Sequence, residues 1–148
     1  MSKYFRFVPV VLLSLYLLSK IGPYIKTPDG PNGYEPTASQ KELLYPIINS
    51  LKEYPDAATD FGNLYNGLAL VVESDEVILK TTDDVRRAHE NAGALAIQAG
   101  EIPRIPSYAR NVNDFITSEV GNENVPLDGD KKKKIIEAFK ALSWATNH

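Results

Sequence analysis

Between Arg6 and Lys20 the chain runs from Phe7 to Ser19 without a charge, and this stretch constrains the rest more than any other. A helix from Phe5 to Ile25 would contain 21 residues, near the roughly 20 needed to cross the hydrocarbon core of a bilayer. Phe5, Val8, Val10, Val11, Leu12, Leu13, Leu15, Leu17, Leu18 and Ile21 would face lipid. Arg6 and Lys20 would reach the interfaces along their aliphatic stems, and Tyr4 and Tyr24 stand where an aromatic belt belongs. Pro9 falls in the first turns, where a missing N–H costs least. A cleaved signal peptide is the competing reading, but Leu17 to Gly22 offers no small-residue cleavage triplet. A buried soluble helix is the other, and the lack of a polar stripe from Val8 to Leu13 argues against a half-exposed one. We therefore expect residues 1–25 to form a single transmembrane signal anchor, with the N-terminus cytoplasmic and the body exported.

From Gly22 to Ala38, seven of seventeen residues are proline or glycine. Such a segment cannot propagate a helix, and Asp29-Gly30 and Asn32-Gly33 are turn dipeptides. Residues 26–38 read as a linker, either a spacer reaching at most about 50 Å or a loop laid over the domain with Tyr24 and Tyr34 as pins.

Residues 39–148 read as one all-α domain, a bundle of four to five amphipathic helices. Ser39 to Glu42 forms a capping box, opening a helix with Leu43, Leu44, Ile47, Ile48 and Leu51 that Pro46 should kink or restart. A second helix should begin near Asp56 and bury Ala57, Phe61, Leu64, Tyr65, Leu68, Val71 and Val72. Leu68 to Lys80 could instead be a hairpin around Glu73-Ser74-Asp75, but unbroken helical spacing into Val72 favours the helix. Thr82 is the expected N-cap of a third helix whose apolar face is Val85, Ala88, Ala92, Leu95, Ala96 and Ala99, stopped by Gly100. A fourth helix, from Ser107 to Val120, turns Tyr108, Val112, Phe115, Ile116 and Val120 inward and ends at Gly121. Asp128 or Asp130 caps the last helix, with Ile135, Ile136, Phe139, Leu142 and Trp144 as its stripe.

Charge is unevenly placed. The overall net charge is −3, but residues 39–127 hold seven bases against fourteen acids, whereas residues 128–148 hold five against three. An acidic body argues against nucleic acid as partner. There is no cysteine and there are two histidines, His89 and His148, so thiol chemistry, disulfides and multi-histidine metal sites are excluded within one chain. No nucleophile elbow, zinc-protease, phosphate-loop or dinucleotide motif is present, and no cofactor is expected.

Four constellations remain. His89 sits at the edge of the third helix's core face, and its neighbour Glu90 points about 100° away, so the two form no joint site. Asp83 and Arg87 have the spacing of a surface ion pair. Asp128-Gly129-Asp130 matches the opening of a calcium loop, but the twelfth position is Phe139 and four lysines intervene. Those lysines, Lys131, Lys132, Lys133 and Lys134, form the sharpest charge run and could touch anionic headgroups or an acidic partner. The expectation is a membrane-anchored, non-enzymatic domain that binds another protein or self-assembles, with Ala88–Ala99 or Ile135–Trp144 offering a packing surface. The alternatives are a structural component of a membrane-associated assembly, such as a phage particle or envelope complex, and an acid/base or metal-dependent enzyme.

Overall fold

The computed structural model describes residues 34–74 and 79–148. They form five helices, α1 (Ala38–Leu51), α2 (Ala57–Glu73), α3 (Thr82–Gln98), α4 (Pro106–Val120) and α5 (Gly129–Ala145). The expected all-α bundle is what these residues build. The ten anchor residues from Phe5 to Ile21, and most of the linker, lie outside the described residues, and no described helix is long and apolar enough to cross a membrane.

α5 is the hub. It packs most extensively on α2 and also touches α4 and α1, while α1 packs on α4. Its Ala138, Ala141 and Ala145 are buried beside Ile135, Phe139, Leu142 and Trp144. Small side chains on one face let a neighbouring helix come close, and α2 does so at Gly62, whose carbonyl accepts a hydrogen bond from the buried Ser143 hydroxyl at 3.2 Å. Every residue expected to point inward from α2 and α4 is buried.

Helix ends follow local chemistry. Gly100, at φ 75°, closes α3. The Glu101 N–H reaches the Ala96 carbonyl at 2.9 Å and the Gly100 N–H that of Ile97 at 3.0 Å, the double bond pattern of a left-handed C-terminal cap. Gly121, at φ 87°, ends α4. Asp128 caps α5 by accepting from the Lys131 N–H at 2.8 Å.

Two caps sit earlier than the sequence predicts. α1 is capped by Thr37, with Gln40 completing the box, rather than by Ser39 and Glu42. Both pairs fit the motif, and Gln40 wins because its side-chain oxygen also accepts from Tyr34 Oη at 2.9 Å. α3 is capped by Thr81, not Thr82; the Asp84 carboxylate returns the bond to the Thr81 N–H. Thr82 is fully buried, and its hydroxyl is committed to the α4–α5 connection. Pro46 does not restart α1, which runs through it unbroken. The carbonyl of Pro46 is satisfied by Ser50 Oγ at 2.8 Å and Asn111 Nδ2 at 3.3 Å.

The helix reading of Leu68 to Val72 holds, since α2 continues to Glu73. Lys80 and Thr81, ahead of α3, pair with the α4–α5 connection. Thr81 forms an isolated antiparallel bridge with Pro126, and the Leu127 N–H donates to the Lys80 carbonyl at 2.9 Å. On α3, Leu95 is 37% exposed rather than inward, and Ala99 is exposed too. The buried stripe runs Val85, Ala88, Ala92 and Ala96, and Leu95 falls beyond its edge.

Candidate functional site

α3 differs from the other helices in what holds it. Its described helix packing is with α2 alone, apart from marginal contacts. Its N-terminus is fastened by polar bonds instead. Thr82 Oγ1 donates to the Glu123 carbonyl at 2.9 Å and accepts from the Val125 N–H at 3.0 Å. The Thr82 N–H reaches the Val125 carbonyl at 2.9 Å. Arg86 pairs with Asp83 at 2.6 Å and donates to the Gly121 carbonyl, spanning the same junction.

The expected Asp83–Arg87 pair is not made. The pairs are Asp83–Arg86 and Asp84–Arg87, three residues apart, at 2.6 and 2.7 Å, because Asp84 is already turned toward the cap. Partial burial pushes the Asp84 carboxyl up, but the Arg87 guanidinium and the N–H groups of Lys80 and Thr81 outweigh it and hold it below the usual carboxylate range.

Apart from His89 and Ile97, the middle of α3 carries only small residues toward α2 and α4. A cavity of about 370 Å³ opens there, walled by Phe61, Leu64, Ile97 and Val112, with Ile102 to Pro106 along one side. This is within the size range of small-molecule pockets. His89, Tyr65 and Tyr108 border it. The Tyr65 ring lies 5.7 Å from the His89 ring and 6.4 Å from Phe139, and Phe61 and Tyr108 are in contact at 4.3 Å.

Tyr65 Oη lies 3.4 Å from His89 Nε2, the long end of a hydrogen bond. By surface area His89 is half-buried, but its exposed part borders the cavity and the ring is otherwise enclosed by protein. Burial holds its pKa down to about 4, so the imidazole is neutral at pH 7. Burial also raises both phenols above their ordinary value. The two phenols lie side by side and influence each other's ionisation, with Tyr108 Oη fully buried.

Gly93, in the middle of α3, opens onto the same space. A Cβ built on it meets nothing within 4 Å. At the rim are Glu90, Arg104 and Asn113, all exposed. Asp60, Glu73 and Asp114 are likewise exposed, and among the described residues no three His, Cys, Asp or Glu side chains come together as a metal could require.

The lysine run is divided by its helix. Lys131 Nζ donates to the Val120 carbonyl at 3.2 Å, serving as a C-terminal partner for α4. Lys133 and Lys134 are exposed. The second histidine stacks on Trp144 at 3.9 Å, and Lys41 Nζ stands 5.5 Å from the same indole ring.

Sequence reading placed His89 at the edge of the core face but did not bring Tyr65, Tyr108 or Gly93 to it. Tyr65 lies 24 residues from His89, on another helix, and no local pattern links them. The signals available were a glycine inside a strong helix and an apolar face made mostly of alanine. Comparison with family models, with curated proteins and with solved structures gave no match.

Proposed function

We propose that the chain is a membrane-tethered helical domain that acts by binding another protein on the exported side of the membrane, without catalysis. The observation that carries this reading is the division of the chain. Five helices within residues 34–148 bury a continuous core of their own, from Leu44 to Ala145. The uncharged run from Phe7 to Ser19 and a proline- and glycine-rich stretch precede it. A self-contained domain behind an apolar segment of that length is the layout of a tethered binding module.

The partner-facing surface has to be sought away from the two stripes that looked available. Ala88, Ala92, Ala96, Ile135, Phe139, Leu142 and Trp144 are all buried in the bundle itself. Tyr45, 54% exposed on α1, and the free ends of Lys133 and Lys134 on α5 are among the side chains left to meet a partner.

Membrane extraction followed by capture tests both halves. The chain should stay with membranes through high salt and alkaline carbonate and be released by detergent. Cross-linking on native membranes should then retain a discrete partner protein. Release by salt or carbonate refutes the tether. Recovery at fixed stoichiometry within one large particle would identify a structural component instead.

A further inference from the structure

We propose that the space between α2, α3 and α4 is a binding site for a small, neutral, largely apolar molecule that carries one hydroxyl group. This does not depend on the tether. The walls, Phe61, Leu64, Ile97 and Val112, suit an aromatic or aliphatic body. The polar end is where Tyr65, His89 and Tyr108 meet. Tyr108 Oη is covered by protein beside Tyr65, so the polar group that reaches the space is His89. A ligand hydroxyl at that end would bond the His89 imidazole. His89 uses Nε2 toward Tyr65, leaving Nδ1 to take or give a second bond.

The ligand is neutral for two reasons. One acid and one base, Glu90 and Arg104, stand at the rim, so the mouth has no net charge to attract an ion. The interior has no fixed charge to pair with one, and an unpaired buried charge is costly.

Gly93 is the independent sign. Glycine is the poorest helix former after proline, and here no neighbour demands it, since a Cβ would meet nothing within 4 Å. Its lack of a side chain keeps space open on the cavity side of α3.

The test is titration of the isotopically labelled full chain in detergent micelles with 4-ethylphenol, ethylbenzene and 4-ethylbenzoate. The readouts are the amide shift of Gly93 and the ring nitrogen shifts of His89. 4-Ethylphenol should give saturable shifts at both. Ethylbenzene, without the hydroxyl, should bind about tenfold more weakly, the worth of one hydrogen bond. Gly93→Leu, which fills the opening, should weaken 4-ethylphenol by at least about tenfold, while Gly93→Ala should stay within about threefold of wild type and shows that the helix tolerates a side chain there. Absence of saturable shifts overturns the proposal. So does a Gly93→Leu titration identical to wild type, because micelle partitioning alone would produce that. Binding of 4-ethylbenzoate as tight as that of the phenol overturns the neutral class.

Discussion

Thr82→Val is the sharpest probe of how this bundle is held together. Thr82 is 0% exposed, and its hydroxyl bridges the Glu123 carbonyl and the Val125 N–H at 2.9 and 3.0 Å. Valine keeps the volume and the branched Cβ but replaces the hydroxyl by a methyl group, which makes the change a polar one rather than a packing one. Two hydrogen bonds are lost, each worth about 1 kcal/mol net. The Val125 N–H is half-buried, so water recovers part of what it loses. The expected cost is about 2 kcal/mol. Thr82→Ser makes the opposite cut, keeping the hydroxyl and removing one methyl, for about 1 kcal/mol. Urea unfolding followed by Trp144, the chain's single tryptophan, buried on the distant half of α5, measures both. With an unfolding slope of about 2 kcal/mol per molar urea, the valine variant should lose about 1 M in midpoint at unchanged slope. A valine variant within about 0.5 kcal/mol of wild type refutes the reasoning. A serine variant costlier than the valine one refutes it equally, because the methyl packing would then outweigh the clamp.

Gly121→Ala should cost about 2 kcal/mol in the same assay: φ 87° with ψ 177° is a conformation nearly confined to glycine, whereas Gly129→Ala, at the first residue of α5 with open space around its Cβ, should be neutral or stabilise by about 0.5 kcal/mol. Gly93→Ala should stabilise by about 1 kcal/mol, the helix propensity difference, since nothing obstructs the methyl; a destabilised variant would mean the cavity is tighter than its walls indicate. His89 has a folded pKa of about 4 against 6.5 when exposed, so between those values the unfolded chain binds the extra proton, and stability, unaffected by His89 above pH 6.5, falls as pH drops toward 4, by on the order of 3 kcal/mol. His89→Gln should remove that slope in urea midpoints measured from pH 7 to pH 4.5, and a slope unchanged in the variant would assign it to another group.

The features legible in the sequence are those decided within a few residues. Gly100, Gly121 and Asp128 end or begin helices because a left-handed residue or a free carboxylate meets the need locally. The inward faces of α2 and α4 follow from spacing alone. The errors came where two local solutions were equally good and a distant group chose between them. Thr81 and Thr82 could each cap α3, and the choice belongs to Glu123 and Val125, some 40 residues on, which take the second hydroxyl. Thr37 and Ser39 could each open α1, and Tyr34 decides by bonding Gln40. The hairpin set aside at residues 68–80 does not form around Glu73, which ends α2. Lys80 and Thr81 pair instead with the α4–α5 connection.

The way α3 is fastened explains why a cavity sits where it does. The N-terminus of α3 is fixed by backbone and hydroxyl bonds to the α4–α5 connection, and its C-terminus by the Gly100 cap and the buried Ile102 that follows. Neither anchor relies on bulky side chains in the helix's middle. Burial energy scales with apolar area, at about 25 cal/mol per Å², so the alanines at 88, 92 and 96 contribute far less than the large side chains buried on α2 and α5, such as Phe61, Leu68, Phe139 and Leu142. A helix fastened at both ends can leave its centre underpacked without drifting. A helix held only by its apolar face could not, because each missing contact would loosen the face as a whole. Filling the centre should therefore stabilise the bundle while removing the opening beside His89, and loosening the Thr82 clamp should blur that opening even though Thr82 is not among its lining residues.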